Sequence, residues 1–404
     1  MSEVAQVTHS SPDGHIPQLR FPQFSHDWAI STIGNLAKID TGNRDTQDRV
    51  NSGKYPFYVR SNTVERINEY AFDGEAILTS GDGVGVGKNF HYVVGKFNYH
   101  QRVYSIHNFT NSTNGKFIYY YFADKFYRRV SRLSAKNSVD SVRMSMISDM
   151  PISIPAKPEQ QKIAAFLTAV DNKIEQLSKK QELLSEYKKG LMQKIFSQAI
   201  RFKADDGSDF PDWEDGLLNT LIDNSRKIRY GIVQPGKYDK NGKYLIRGKD
   251  YSNGWEIPSE FFKVSDAIEK KYSKTRVKKG DVIVCIVGSV GNVMVIPGWL
   301  DGANITQTTA RIAPDKNKLN NQYLYFYFQS LVGRNMIHKH TRVGTRPGLN
   351  IEDVEKFSIL LPSLLEQAKI ANFLSSIDNK IEQVGKQLDE SKQFKKALLQ
   401  QMFV

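Results

Sequence analysis

The chain has 404 residues, 40% of them hydrophobic, and carries 56 Lys and Arg against 43 Asp and Glu, a formal net charge of +13. A length of this order holds two or three domains with cores of their own, and the positive balance favours a polyanionic partner, nucleic acid ahead of an anionic membrane surface. A single cysteine, Cys285, excludes an intrachain disulfide, and no apolar run approaches the ~20 residues that span a bilayer.

Residues 1–15 are polar, lack the basic start and apolar core of a signal peptide, and are expected to form a disordered tail on a cytoplasmic protein. A first strand-rich globular region is expected over 16–155. It opens on Arg20-Phe21-Pro22 and Asp27-Trp28, continues through an apolar strand from Gly53 to Arg60-Ser61-Asn62, and reaches an aromatic helix around Phe117–Phe122. After Pro155 a long helix is expected over 156–200. A second globular region over 201–362 opens on Arg201-Phe202 and Phe210-Pro211-Asp212-Trp213, and a second long helix over 363–404 closes the chain.

The second half repeats the first. KIAAFLTAVDNKIEQ (162–176) and KIANFLSSIDNKIEQ (369–383) agree at 11 of 15 positions without a gap. Gly74 and Gln101 recur as Gly280 and Gln307, both 206 positions on, and the aromatic run Tyr323–Phe328 stands at the same offset from Phe117–Phe122. The second helix ends on Met402-Phe403-Val404 where the first has Ile195-Phe196-Ser197, so the two units read as a ring cut once.

The helices carry narrow apolar seams. Ile163, Val170, Leu177, Leu184 and Leu191 recur every seven residues, with Leu167, Ile174 and Ile195 beside them. Ile370, Ile377, Val384 and Leu398 do the same in the second copy, with Leu374, Ile381, Leu388 and Met402. Such a seam indicates a coiled coil. Each helix is ~50–60 Å long at about 1.5 Å per residue. Gln181, Lys188, Ser391 and Lys395 interrupt the seams, either facing solvent or fixing register. Pairing inside one chain must be antiparallel to give a two-fold relation; pairing between chains is the alternative.

Catalytic signatures are missing. Gly81–Lys88 (GDGVGVGK) fails the phosphate-loop pattern, because Asp82 stands where a glycine is needed and Asn89 follows the lysine. Its counterpart GSVGN (Gly288–Asn292) points instead to a glycine turn between strands in both copies. No HExxH, paired CxxC, GxSxG or Asn-Pro-Pro-aromatic motif occurs, Pro211-Asp212 lacks a nearby acid-x-Lys, and no histidines have metal-ligand spacing. Cys285, inside the apolar run Val282–Val287, reads as a small buried hydrophobe. The chain is expected to bind rather than catalyse.

Base reading needs Arg, Lys, Asn or Gln on accessible strand ends and loops. Arg60 and Asn62 end a strand in the first copy; Arg247 and Lys249 end its counterpart in the second, with Lys249 at the offset of 189 that also relates Gly53 to Gly242. Arg342 and Arg346 lie in a cationic loop, Thr341–Gly348, without apolar anchors, and Arg44, Lys88, Arg143 and Arg229 complete the candidates. Gln101 and Gln307, present in both copies, suit a structural hydrogen bond better than the reading of different bases, and Tyr119–Tyr121 suit a core.

The two helix starts, Pro155 to Gln160 and Pro362 to Gln367, both read Pro-x-x-x-Glu-Gln. With Lys162-Ile163-Ala164, Lys369-Ile370-Ala371, the Asp171–Gln176 and Asp378–Gln383 runs and the two entry segments, the chain from about residue 16 onward resembles the specificity subunit of type I restriction-modification systems. The resemblance implies an α+β protein. Its two target-recognition domains would be separated by two long helices in an antiparallel intramolecular coiled coil, with a pseudo-two-fold internal repeat. Each domain would read one half of an asymmetric bipartite double-stranded DNA site. The coiled coil would set the gap and dock two modification (adenine methyltransferase) subunits, with restriction and translocase subunits joining them. It also implies a role in defence against foreign DNA, no metal or cofactor on this chain, and S-adenosylmethionine, ATP and Mg on the partners. The competing reading is a coiled-coil adaptor whose globular ends bind proteins and not DNA.

Overall fold

The computed structural model describes residues 6–7, 16–83, 85–133, 141–252, 254–342, 344 and 347–404. Most of the segment expected as a tail lies outside these residues; Gln6–Val7 within it pairs antiparallel with Leu19–Arg20. The chain forms two compact units, one made of 1–179 with 385–404 and the other of 180–384. Each unit thus combines one strand-rich region, the start of the helix that follows it and the end of the other long helix.

In the first unit Phe72–Ser80 is the central strand of a six-stranded sheet. Its order runs Lys38–Thr41, Val103–His107, Phe72–Ser80, Phe90–Tyr99, Tyr55–Tyr58 and Val64–Ile67. Only the Tyr55–Tyr58 and Phe90–Tyr99 pair is parallel. The aromatic helix Gly115–Leu133 packs Phe117, Ile118, Tyr121, Phe122 and Phe126 into one cluster with Ile77 and Ile106 of the sheet. Tyr120 and Tyr121 are buried there, as expected of core residues.

The second unit repeats this plan with a break. Arg229–Tyr230, Thr309–Ile312, Val282–Cys285 and Val293–Val295 form one sheet, and Phe262–Val264, Lys243–Ile246 and Asn304–Ile305 another. The long strand of the first unit is here interrupted by Pro297 and the turn Gly298–Leu300, because proline cannot donate to a ladder. The aromatic helix also divides, into Asn321–Gln329 and Leu331–His340. Ser330 adopts an extended backbone and its hydroxyl accepts from the Gly333 amide at 3.1 Å.

Glycine turns join the central strands as expected: Gly83 and Gly87, and Gly288 and Gly291, take φ between +65° and +90°. Cys285 is buried, its thiol donating to the Val287 carbonyl at 3.2 Å, and burial pushes its pKa up.

The repeated Glu-Gln pair explains how each unit closes. The entry strand Ala29–Thr32 pairs antiparallel with the exit strand Pro151–Ile154, and Glu214–Leu217 with Ser358–Leu361. Behind the first pair Glu159, 2% exposed, accepts from Arg20 Nε at 2.7 Å, Arg20 Nη2 at 2.8 Å and Trp28 Nε1 at 3.4 Å. Behind the second, Glu366 accepts from Arg201 Nη2 and Trp213 Nε1, both at 3.0 Å. The neighbouring glutamine caps the aromatic helix. Gln160 Oε1 accepts from the Asn114 amide and Gln367 Oε1 from the Asn320 amide, both at 2.8 Å, while their Nε2 atoms donate to the Pro155 and Pro362 carbonyls.

The long helices span Lys157–Phe196 and Leu364–Met402 and run antiparallel inside the chain. In the first unit Ile163, Leu167 and Val170 share a core with Leu398, Met402 and Phe403; in the second, Leu191, Met192 and Ile195 share one with Ile370, Leu374 and Ile377. Leu177, Val384 and Leu388 are buried, while Leu184 and Leu191 are half-buried. The repeat extends to the ends of both helices. Phe403 sets its ring on Phe117 at 5.4 Å and Tyr121 at 5.8 Å, as Phe196 does on Tyr323 at 5.7 Å and Tyr327 at 5.8 Å.

Two of the polar interruptions fix register. Lys395 Nζ lies 2.6 Å from Asp171 Oδ1 and over the Tyr120 ring; Lys188 Nζ lies 2.6 Å from Asp378 Oδ1 and over the Phe326 ring. Each aspartate opens the repeated DNKIEQ run, so the pairs are related by the internal repeat. Gln181 shows only its backbone carbonyl, to Ser185, and Ser391 bonds its own helix at the Gln387 carbonyl.

Truncating Glu159 to alanine leaves the buried Arg20 guanidinium with the His26 carbonyl but no carboxylate, and urea unfolding should show a loss of about 3–5 kcal/mol. A double-mutant cycle with Lys395→Ala and Asp171→Ala should return a coupling of only about 0.5–1 kcal/mol, because both groups keep some contact with water. No coupling would mean the pair does not help to set register.

Candidate nucleic-acid interface

In the first unit the glycine turn 81–88 gathers most of the candidate cations. Asn89 Nδ2 donates to the Arg60 carbonyl at 3.2 Å, which seats the turn on the strand end that carries Arg60 and, two residues on, exposed Asn62. The Val142 amide donates to the Gly81 carbonyl at 2.7 Å and brings exposed Arg143 alongside. Lys88 extends over the Tyr127 ring at 5.7 Å. The Gln101 amide donates to the Arg44 carbonyl at 2.8 Å, joining Arg44 to the turn that also carries Arg102.

Acids are interleaved with these cations. Asp82 accepts from Arg60 Nη1 at 2.9 Å and lies 3.8 Å from Arg102, and Arg44 is bonded to Glu69. Gln101 Nε2 donates to Asp45 at 2.8 Å, whereas among the described residues the exposed Gln307 side chain has no such bond, so the structural role expected of both glutamines holds for the first copy alone. His100, 2% exposed, accepts the Arg102 amide on Nδ1, and burial lowers its pKa despite Asp45 at 3.7 Å from Nε2. Arg102 and Asp82 were not among the sequence candidates. The sequence signal for Arg102 is its position directly after a repeated glutamine.

In the second unit the candidates are more dispersed. Lys249 is exposed on the short helix Gly248–Tyr251, and Arg229 is exposed on the edge strand opposite Arg311. Arg247 is tied down: its guanidinium donates to Asp250, which is fully buried, at 2.9 and 3.1 Å, and to the Glu260 carbonyl at 2.9 Å. Arg342 is 68% exposed, 3.6 Å from Asp353. Arg346 lies outside the described residues. The loop without apolar anchors is nonetheless held at its described ends, where Arg342 and Gly348 exchange backbone bonds and Gly288 donates to the Pro347 carbonyl.

A cleft of about 840 Å³ runs between the glycine turn 288–292 and the helix Leu331–His340, with Tyr251, Arg334 and His338 on its walls. Among the described residues no group of three or more His, Cys, Asp or Glu is placed to hold a metal ion, and no helix is long and apolar enough to cross a membrane.

Two strand-rich units on one repeated frame, each with cations at strand ends and glycine turns, have the form of a bipartite nucleic-acid reader. The family model described as the type I restriction modification DNA specificity domain matches residues 25–185 and 222–391, and the chain belongs to that family. It is similar to the type I restriction enzyme EcoBI specificity subunit of Escherichia coli, 24% identical over 308 residues that cover 72% of this chain and 64% of that protein. It is similar also to the MjaVIII specificity subunit of Methanocaldococcus jannaschii, 25% identical over 415 residues covering 94% and 92%. The match thus takes in just under two thirds of the first relative and nearly all of the second. The crystal structure of a type I restriction-modification S subunit from M. genitalium has the same fold, with a TM-score of 0.65 at 17% identity over 96% of this chain and 99% of that one.

Asp82→Asn removes the one carboxylate shared by Arg60 and Arg102. Fluorescence anisotropy on random-sequence duplexes should show tighter binding, and the slope of log K against log salt should steepen by about one. An unchanged slope would place both arginines away from DNA.

Proposed function

We propose that this chain is the DNA-specificity subunit of a type I restriction-modification complex. Residues 16–155 and 201–362 act as two target-recognition domains and read two unlike half-sites. The paired helices hold those half-sites at a fixed gap and dock two modification subunits. The observation that carries this reading is a repeated frame under unlike rims. The Glu-Gln clamps, the Lys–Asp seam pairs and the terminal phenylalanines recur in both units, whereas the loops above them share few residues. Equal seams offer equal docking surfaces to equal partners, and unlike rims contact unlike base pairs.

The chain itself is non-catalytic in this scheme and works in the cytoplasm. Adenine methylation with S-adenosylmethionine, and restriction driven by ATP with Mg, belong to the modification and restriction subunits. Arg44, Arg60, Lys88 and Arg143 in the first domain, and Lys249 and Arg342 in the second, are the groups that approach DNA. Arg247 is held as a structural brace by Asp250.

Sequencing of methylated adenines in cells with and without this chain, together with its modification subunits, should reveal one asymmetric site of two half-sites at a constant gap. A palindromic or ungapped site would contradict two unlike readers, and a chain that forms no salt-dependent DNA complex is the protein adaptor instead.

A further inference from the structure

The two rims differ most at one equivalent place. Gly42 and Gly231 both press against a carbonyl, that of Tyr99 or Ile305, so closely that a β-carbon would stand within 1.8 Å of the oxygen. From that fixed point the backbones diverge by one residue. The Gln101 backbone amide donates to the Arg44 carbonyl, whereas the Gln307 amide donates to the Ile232 carbonyl. The residue that follows is Asp45 in the first unit, bonded to the Gln101 side chain, and Val233 in the second. Among the described residues no hydrogen bond ties down the Gln307 side chain, and it is exposed.

Around Val233 the second unit has a concavity of about 670 Å³ floored by buried Ile286 and Leu349. Its rim exposes large apolar side chains in unusual proportion: Tyr230 is 48% exposed, Val233 42% and Val287 36%. Gln307, Thr308, Asn350 and Glu352 supply its polar groups, and none of the described residues lining it is a lysine or arginine; Arg342 stands just behind, its guanidinium 2.8 Å from the Asn350 side-chain oxygen. Among the described residues its lining offers a phosphate no cation and presents Glu352, so it suits a base edge better than the DNA backbone.

A base edge suits it. In the major groove an A·T pair presents a thymine methyl group, an adenine amino donor and a ring-nitrogen acceptor. A G·C pair presents two guanine acceptors and the cytosine amino donor, and carries no methyl group. Apolar Tyr230, Val233 and Val287 match the methyl group, and Gln307 can both donate to and accept from adenine. We infer that the concavity at Val233 and Gln307 reads an A·T pair through the thymine methyl group, in the half-site contacted by the second domain. This rests on the proposed DNA-reading function and adds to it the base pair and the residues that choose it.

The test uses the full chain with its modification subunits and a duplex carrying the methylated site. Each thymine in both half-sites is replaced in turn by deoxyuridine, which removes only the methyl group. At one position binding should fall about four-fold, the worth of one buried methyl group. In the Val233→Ala protein, thymine and uracil at that position should bind alike, with other positions unaffected. Gln307→Ala should relax the choice of base pair there. The inference is overturned if uracil and thymine bind alike everywhere, which is also the outcome if a protein segment fills the concavity. It is overturned too if the thymine preference survives Val233→Ala, or if that variant weakens all sequences equally. Specific binding that persists through any of these results leaves the DNA-reading function standing; a complex that selects no sequence ends both.

Discussion

Each unit depends on one buried carboxylate. Glu159 and Glu366 sit at the first turn of a long helix, sealed from water, and a charge so placed is tolerated only when its oxygens are fully engaged. The groups that engage them come from the entry segment, more than a hundred residues earlier in the chain: Arg20 with Trp28, and Arg201 with Trp213. The interaction therefore joins the chain's entry into a domain to its exit. The adjacent glutamine bonds the aromatic helix and the proline carbonyl in the same step. Beginning, middle and end of each domain meet at two consecutive side chains. The loops at the far side of the sheet can then change without disturbing how the domain is anchored to its helix.

The long helices follow the same economy. Their seams are mostly apolar and by themselves would tolerate sliding by a heptad, since leucine and isoleucine pack acceptably in several registers. A lysine half-sunk in each seam finds its aspartate in only one of them. The net gain in stability from a half-exposed pair is small, but a shift by one heptad breaks both lysine–aspartate pairs at once. The register is specified by what the wrong arrangement loses.

The amino-acid sequence made much of this legible, for a physical reason: the frame is repeated, and a repeat shows which residues the fold cannot exchange. The Pro-x-x-x-Glu-Gln starts, the seam, the interrupting lysines and the terminal Phe196 and Phe403 were all visible as pairs. What they bond to was not, because Arg20 and Asp378 lie far along the chain from Glu159 and Lys188. Sequence offsets do not extend to the rim. The offset of 189 that relates Gly53 to Gly242 would set Arg44 against Val233, whereas the backbone bonds to Gln101 and Gln307 set Arg44 against Ile232. Charge counting failed similarly: Arg60, Arg44 and Arg247 read as free cations, yet each has an acid beside it from a neighbouring turn or strand. A list of cations cannot show which of them are already bonded.

Those acids have a consequence for a chain that reads DNA. With a net charge of +13 the molecule attracts any duplex, and unspecific attraction competes with recognition. A rim arginine bonded to Asp82 gains little from a passing phosphate, because one half-exposed ion pair is merely exchanged for another, each worth about 0–1 kcal/mol. The correct base offers more, since a bidentate contact in the groove is worth about 1–3 kcal/mol. The aspartate also remains near the surface after displacement and repels the backbone wherever the base is wrong. On the proposed function, interleaved carboxylates lower affinity for all sequences while lowering it least for the right one. In the second unit none of the described residues lining the concavity around Val233 is a lysine or arginine, so on the inference drawn above discrimination there passes from charge to shape.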